Sequence, residues 1–220
     1  MRAARAFAAF AAAASLAGPA AASLAGPAAA QENDLRDLRM GMEVRELPRS
    51  GYTGLACADA PGAALPDWQD YARCPADAAG RRAVRFRYDD AGNLQALLND
   101  NYEGTKVGGH PVLLTLLIRD GGRVDGLRIE TDPAARLFFR KKAFLFGELA
   151  KARFGEEGWT CANGQPTDDA QPVGGVFVQE RCEKTTPTRR YVLDRALFRR
   201  PGQELREFVS RSRLEILERT

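Results

Sequence analysis

The sequence predicts an α+β fold: an antiparallel sheet packed against one long helix, with two local disulfides. Three observations predict it. Apolar and polar residues alternate over Arg81–Tyr88, the apolar run Val112–Ile118 leads into a DGGR turn, and Asp132-Pro133 opens a long amphipathic stretch that closes at Gly155. Period-two alternation marks a strand with one buried face, and a Gly-rich turn between two apolar runs marks a hairpin. Asp as N-cap, Pro at the first helical position and Gly beyond the last turn mark the ends of a helix.

The first 30 residues read as a secretory signal peptide. Arg2 and Arg5 form a positive start, Ala6 to about Leu16 is apolar, and the octapeptide SLAGPAAA occurs twice, at Ser15–Ala22 and Ser23–Ala30. Small residues at Ala28 and Ala30 fit an A-x-A cleavage site before Gln31, with cleavage after Ala22 as the alternative. The apolar stretch is short of the roughly 20 residues that cross a bilayer. No Cys precedes Cys57, so a lipid-attachment cysteine beside the signal is excluded. The expected product is Gln31–Thr220, one periplasmic or secreted domain with candidate halves 31–130 and 131–220.

Cleavage removes two arginines and no acid, so the formal charge falls from +3 to +1. A near-neutral protein argues against nucleic acid as the main partner. Four cysteines remain, Cys57, Cys74, Cys161 and Cys182. An even count in an exported chain points to disulfides, and the local pairs Cys57–Cys74 and Cys161–Cys182 are favoured over the other pairings. Zinc is the rival reading. It lacks a C-x-x-C motif, and the sole histidine, His110, is far from any cysteine in sequence. No cofactor or metal is expected.

Asp34–Leu47 suggests a short helix or two turns broken at Gly41, with Leu35, Leu38, Met42 and Leu47 on one face. Ser50–Gly80 reads as a disulfide-clamped loop with a helical turn at Asp67–Tyr71. In Arg81–Tyr88, Val84, Phe86 and Tyr88 face one way and Arg85 and Arg87 the other. Asp89–Asn93, DDAGN, is turn chemistry and lacks the spacing of a calcium loop. Val112–Ile118 and VDGLRIET form a hairpin whose first strand is apolar on both faces and therefore central. The helix should run from Pro133 to about Phe154, with Leu137, Phe138, Phe144, Leu145, Leu149 and Ala152 as its apolar stripe. Val173–Cys182, Arg190–Phe198 and Phe208–Leu217 read as three further strands. In the last, Phe208, Leu214 and Ile216 oppose Arg211 and Arg213.

A faint repeat is present. Cys74-PADAAG-Arg81-Arg82-Ala83-Val84 and Cys182-EKTTPT-Arg189-Arg190-Tyr191-Val192 share C-x6-R-R-x-V, giving two candidate degenerate helix-loop-strand repeats. The segment Leu38–Leu47, LRMGMEVREL, resembles the opening of small periplasmic modules of the SmpA/BamE kind. The order of elements, with one disulfide per half, is similar to β-lactamase-inhibitory proteins. These resemblances imply a protein-binding module and carry over no binding residue.

The chain has no G-x-S-x-G, no H-E-x-x-H and no Gly-Lys-Ser/Thr phosphate loop. Glu156–Glu157 and Asp168–Asp169 read as solvated loop acids. His110 is the alternative site, as a general base or pH-sensitive contact. Arg85, Arg87, Arg211 and Arg213 make a basic platform if they share one open sheet face. Trp68 and Trp159 either staple the two cysteine loops or anchor a partner. Arg140, Lys141, Lys142 and Lys151 offer a contact to a membrane surface. The expected function is therefore a secreted, non-catalytic binding or accessory protein acting on another envelope protein. The alternative is a small-molecule binder or an enzyme with a site near His110.

Overall fold

Alternating side chains dominate this chain, and alternation builds sheet. The computed structural model describes residues 33–60, 64–91, 104–204 and 206–219. The signal segment, its cleavage site and Asn93 lie outside the described residues. Nine strands are found among the described residues. They are β1 (Tyr52–Cys57), β2 (Arg81–Tyr88), β3 (Lys106–Val107), β4 (His110–Arg119), β5 (Val124–Thr131), β6 (Thr160–Asn163), β7 (Val178–Thr185), β8 (Arg189–Phe198) and β9 (Val209–Glu218). Every pairing is antiparallel, in the order β1-β2-β4-β5-β9-β8-β7-β6, with β3 on β4. Two four-stranded meanders thus meet through their last strands, β5 and β9. The expected hairpin at DGGR is the β4–β5 connection.

One face of the sheet is the core. It carries Val84 and Phe86 of β2, Leu114, Leu116 and Ile118 of β4, Leu127 and Ile129 of β5, Leu193 of β8, and Leu214 and Ile216 of β9, all buried. Leu38, Met40, Val44 and Leu47 of the N-terminal segment close over this face, together with Leu65 and Trp68. Each such side chain contributes about 1.5–3 kcal/mol by leaving water. Asp34 fastens the segment to the second meander: its carboxylate accepts from Arg189 Nε and Nη2 at 3.0 and 3.1 Å and from the Met40 N–H at 2.7 Å. Thr115 and Leu117 of β4 point to the other face and are each 1% exposed, so β4 is covered on both sides.

Sheet dominates, and the expected single helix over Pro133–Phe154 does not form. The segment breaks into α1 (Leu137–Arg140), a 3₁₀ turn (Ala143–Leu145) and α2 (Phe146–Phe154). Asp132 is not an N-cap. Its Oδ1 accepts from the Ala134 N–H at 2.8 Å and its carbonyl from the Ala135 N–H, which makes a turn. Arg136, which precedes α1, supplies no side-chain cap. At Lys142 the backbone leaves the helical region, with φ −106° and ψ 1°. The chain is held to the sheet at this break, where Ser212 Oγ donates to the Ala143 carbonyl at 2.9 Å. Gly147 then lies on β8 so closely that a Cβ would sit 2.0 Å from Arg195 Cδ. Gly155, at φ 86°, ends α2 as expected.

The apolar stripe is also reassigned. The buried residues are Ala143, Phe146, Gly147 and Ala150, while Phe138, Leu145 and Leu149 are exposed. The helix-loop-strand repeats are likewise not found. C-x6-R-R-x-V pairs β2 with β8, whereas the sheet order makes β7 the counterpart of β2. Cys74 lies in the loop before β2, while Cys182 lies inside β7. Edge strands β1 and β6 occupy stretches that read as loops.

Candidate functional site

Cross-strand register decides which side chains share the face opposite the core. Arg85 opposes Thr115, Thr115 opposes Arg128, and Arg128 opposes Glu215. One step along, Leu113 opposes Glu130, Glu130 opposes Arg213, Arg213 opposes Asp194, and Asp194 opposes Arg181. Directly opposed residues of an antiparallel pair project to the same side. Arg85 and Arg87 of β2 and Arg211 and Arg213 of β9 therefore occupy one open face. A trough of about 950 Å³ runs along it, reaching from Arg85 to Ala162 of β6, and the arginines that enter it from this face include Arg181, Arg211 and Arg213.

The charges divide into a paired centre and free margins. Arg128 meets Glu215 at 2.8 Å, Arg213 bridges Glu215 and Glu130, and Arg181 grips Asp194 at 2.9 and 3.0 Å. Burial opposes ionisation of Glu215, but Arg213 and Arg128 outweigh it and hold its carboxyl below the ordinary value. The Arg190 guanidinium beside Glu183 does the same for that carboxyl. The margins differ. Arg85 Nε is buried and has no hydrogen-bond partner among the described residues. Arg87 and Arg211 are exposed and make no ion pair among the described residues. A buried donor of this kind calls for an acceptor.

The other predicted residues lie elsewhere. Trp68 is 3% exposed on the core face, donates Nε1 to the Pro48 carbonyl at 3.0 Å, and stacks edge-on against Phe86 and Tyr52. Trp159 is half-buried, donates to the Gly155 carbonyl at 2.8 Å and faces Tyr191. Both are staples and neither lines the trough. His110 opens β4 with its ring edge-on to Phe146 at 5.9 Å. Burial first, and Lys142 second, hold its pKa below the ordinary 6.5. It does not line the trough either. The disulfides form as expected, Cys57–Cys74 and Cys161–Cys182. Cys161, Cys182 and Glu180 sit close together, but both sulfurs are committed to the disulfide, and Glu180 is held by Lys151 and Arg195 at 3.2 and 2.7 Å. Lys151 is thereby drawn onto the sheet, apart from the exposed Lys141 and Lys142.

Arg128, Glu130, Arg181, Asp194 and Arg200 were missing from the expected set. The signal was available for the first two, because VDGLRIET alternates Leu127 and Ile129 with Arg128 and Glu130. No protein-family model matches this chain, and neither a curated protein nor a solved structure does. Two disulfides fit an oxidising compartment. No helix among the described residues is long and apolar enough to cross a membrane.

Proposed function

We propose that this is a non-catalytic binding or accessory protein of the cell envelope, delivered by the signal segment Met1–Ala30, that holds an acid-bearing stretch of a partner protein in the arginine trough. The observation that carries it is the placement of Arg85, Arg211 and Arg213, from separate meanders, around one cavity, with Arg85 Nε buried and unpartnered among the described residues. Guanidinium forks match carboxylates in two-point geometry, and an acidic segment would meet the margins while the paired centre fixes register. Among the described lining residues there is no histidine, and Glu130, Glu180 and Asp194 each lie beside an arginine, which supports a binding role for this face.

The test is capture from envelope extract by the oxidised, exported protein, followed by titration of each captured protein. A partner retained by the wild type should be lost by Arg85→Glu with Arg211→Glu, at unchanged thermal midpoint. Its affinity should fall with salt. Equal retention by the reversal variant defeats the proposal.

A further inference from the structure

The reassigned stripe of Leu137–Phe154 leaves apolar side chains in water. Phe138 is 62% exposed, Leu145 41% and Leu149 44%, three of the four exposed large hydrophobics among the described residues. Leu145 and Leu149 are four residues apart and share one side of the segment. Phe138 stacks edge-on against Phe139 at 5.2 Å, and Lys142 Nζ lies over the Phe138 ring at 4.2 Å. Leu149 reaches the turn at Gly108, where an added Cβ would lie 2.9 Å from its Cδ1. Arg140, Lys141 and Lys142 follow the two rings directly in sequence. The acid of this stretch, Glu148, is bound to Arg195 and so does not offset them.

Rings and leucines set among lysines and arginines are the composition of an interfacial segment. Such apolar groups enter the boundary between headgroups and acyl chains, and long basic side chains reach the phosphates while their stems stay apolar. A soluble acidic partner would need the cations alone and would leave Phe138 in water. We propose that α1, the 3₁₀ turn and α2 form a docking surface for an anionic lipid bilayer, with Phe138, Leu145 and Leu149 inserted and Arg140, Lys141 and Lys142 on the headgroups. The segment packs on the core face of the sheet, through Ala143 on Ser212 and Gly147 on Arg195. Arg85, Arg211 and Arg213 project from the opposite face, so docking leaves these arginines open to a partner.

The experiment is co-sedimentation of the exported, oxidised protein with vesicles of phosphatidylcholine plus phosphatidylglycerol, against phosphatidylcholine alone. Binding should require the anionic lipid and weaken about fivefold for each of Arg140, Lys141 and Lys142 changed to Gln. Phe138→Ser with Leu145→Ser and Leu149→Ser should lose at least about tenfold. Arg85→Glu with Arg211→Glu should bind vesicles unchanged, which separates this surface from the trough. Phe138→Trp gives a readout in a fully apolar variant: its emission should shift to the blue with anionic vesicles and be quenched by brominated acyl chains. Equal binding to both vesicle types, no blue shift, or retention of an acidic protein by the same residues without vesicle binding would overturn the proposal.

Discussion

In the first meander the core face is closed by rings. Tyr52, Trp68, Phe86 and Tyr88 meet edge-on at centroid distances of 5.4–6.2 Å, and the Cys57–Cys74 disulfide is buried beside them. In the second meander the same face carries ions. Arg195 and Lys151 converge on Glu180 beneath α2, Arg195 also holds Glu148, and Cys161 is exposed at the edge. The strand order is alike in the two halves, yet the first is closed by rings, whereas the second adds satisfied charge to the buried Leu193, Leu214 and Ile216. A sheet face needs only to be covered and to have its polar atoms paired.

The strongest way to break this contrast is at Trp68. Trp68→Ala removes a side chain 3% exposed together with its bond to Pro48. It should cost about 3–5 kcal/mol in urea unfolding, and a loss below about 1 kcal/mol would show that the rings do not hold the first meander. The disulfides come next. They span 17 and 21 residues, so chain entropy gives each about 3 kcal/mol. Burial separates them: Cys57 and Cys74 are 3% and 1% exposed, whereas in the second pair Cys182 is buried but Cys161 is exposed. Cys57→Ala with Cys74→Ala should therefore cost more than Cys161→Ala with Cys182→Ala. The reverse order, read from paired denaturation curves, would mean the edge strand β6 matters more than the buried sulfurs.

The second meander is probed by carboxylates of unequal burial. Glu180 has a side chain 12% exposed and two cationic partners, and Glu180→Gln should cost about 2 kcal/mol. Glu183 also has two cationic partners, Arg181 and Arg190, but its side chain is 41% exposed. Glu183→Gln should cost about 0.5 kcal/mol, further reduced by salt. Similar losses at both sites would sink the idea that burial sets the worth of these pairs.

Strands with one buried face were legible because each step along them repeats a two-residue rule. Arg81–Tyr88 and the last strand showed their faces in sequence, and the register merely joined them. The arginine platform was legible to the same degree: Arg85, Arg87, Arg211 and Arg213 were assigned to outward faces, but only sheet order shows that these faces are one. Edge strands gave no such signal. Thr160–Asn163 is exposed throughout and Tyr52–Cys57 has a bulge, so neither alternates. The helix failed for a different reason. Asp132 and Pro133 are good helix openers in isolation, but the backbone around Ala143 is fixed by Ser212, a residue 69 positions away. Local capping preference is worth about 1 kcal/mol and yields to such contacts.

The weakest expected effect lies where the two meanders are bridged by the helical segment. His110 belongs to β4, and its ring rests on Phe146 of α2, with Lys142 as the neighbouring charge. Burial and Lys142 disfavour the imidazolium, so the folded pKa lies below the ordinary 6.5. The unfolded chain then binds the proton more readily. This contribution to stability is fully present above about pH 6.5 and is lost as pH falls through the folded value. The depressed carboxyls of Glu180, Glu183 and Glu215 act in the same direction but at lower pH, below their ordinary 4.5. A decline in unfolding free energy between pH 7 and about pH 5 therefore reports on His110. His110→Gln should flatten that window and leave the acid limb unchanged. An identical slope in the variant would mean that the β4–α2 contact is indifferent to the charge of this ring.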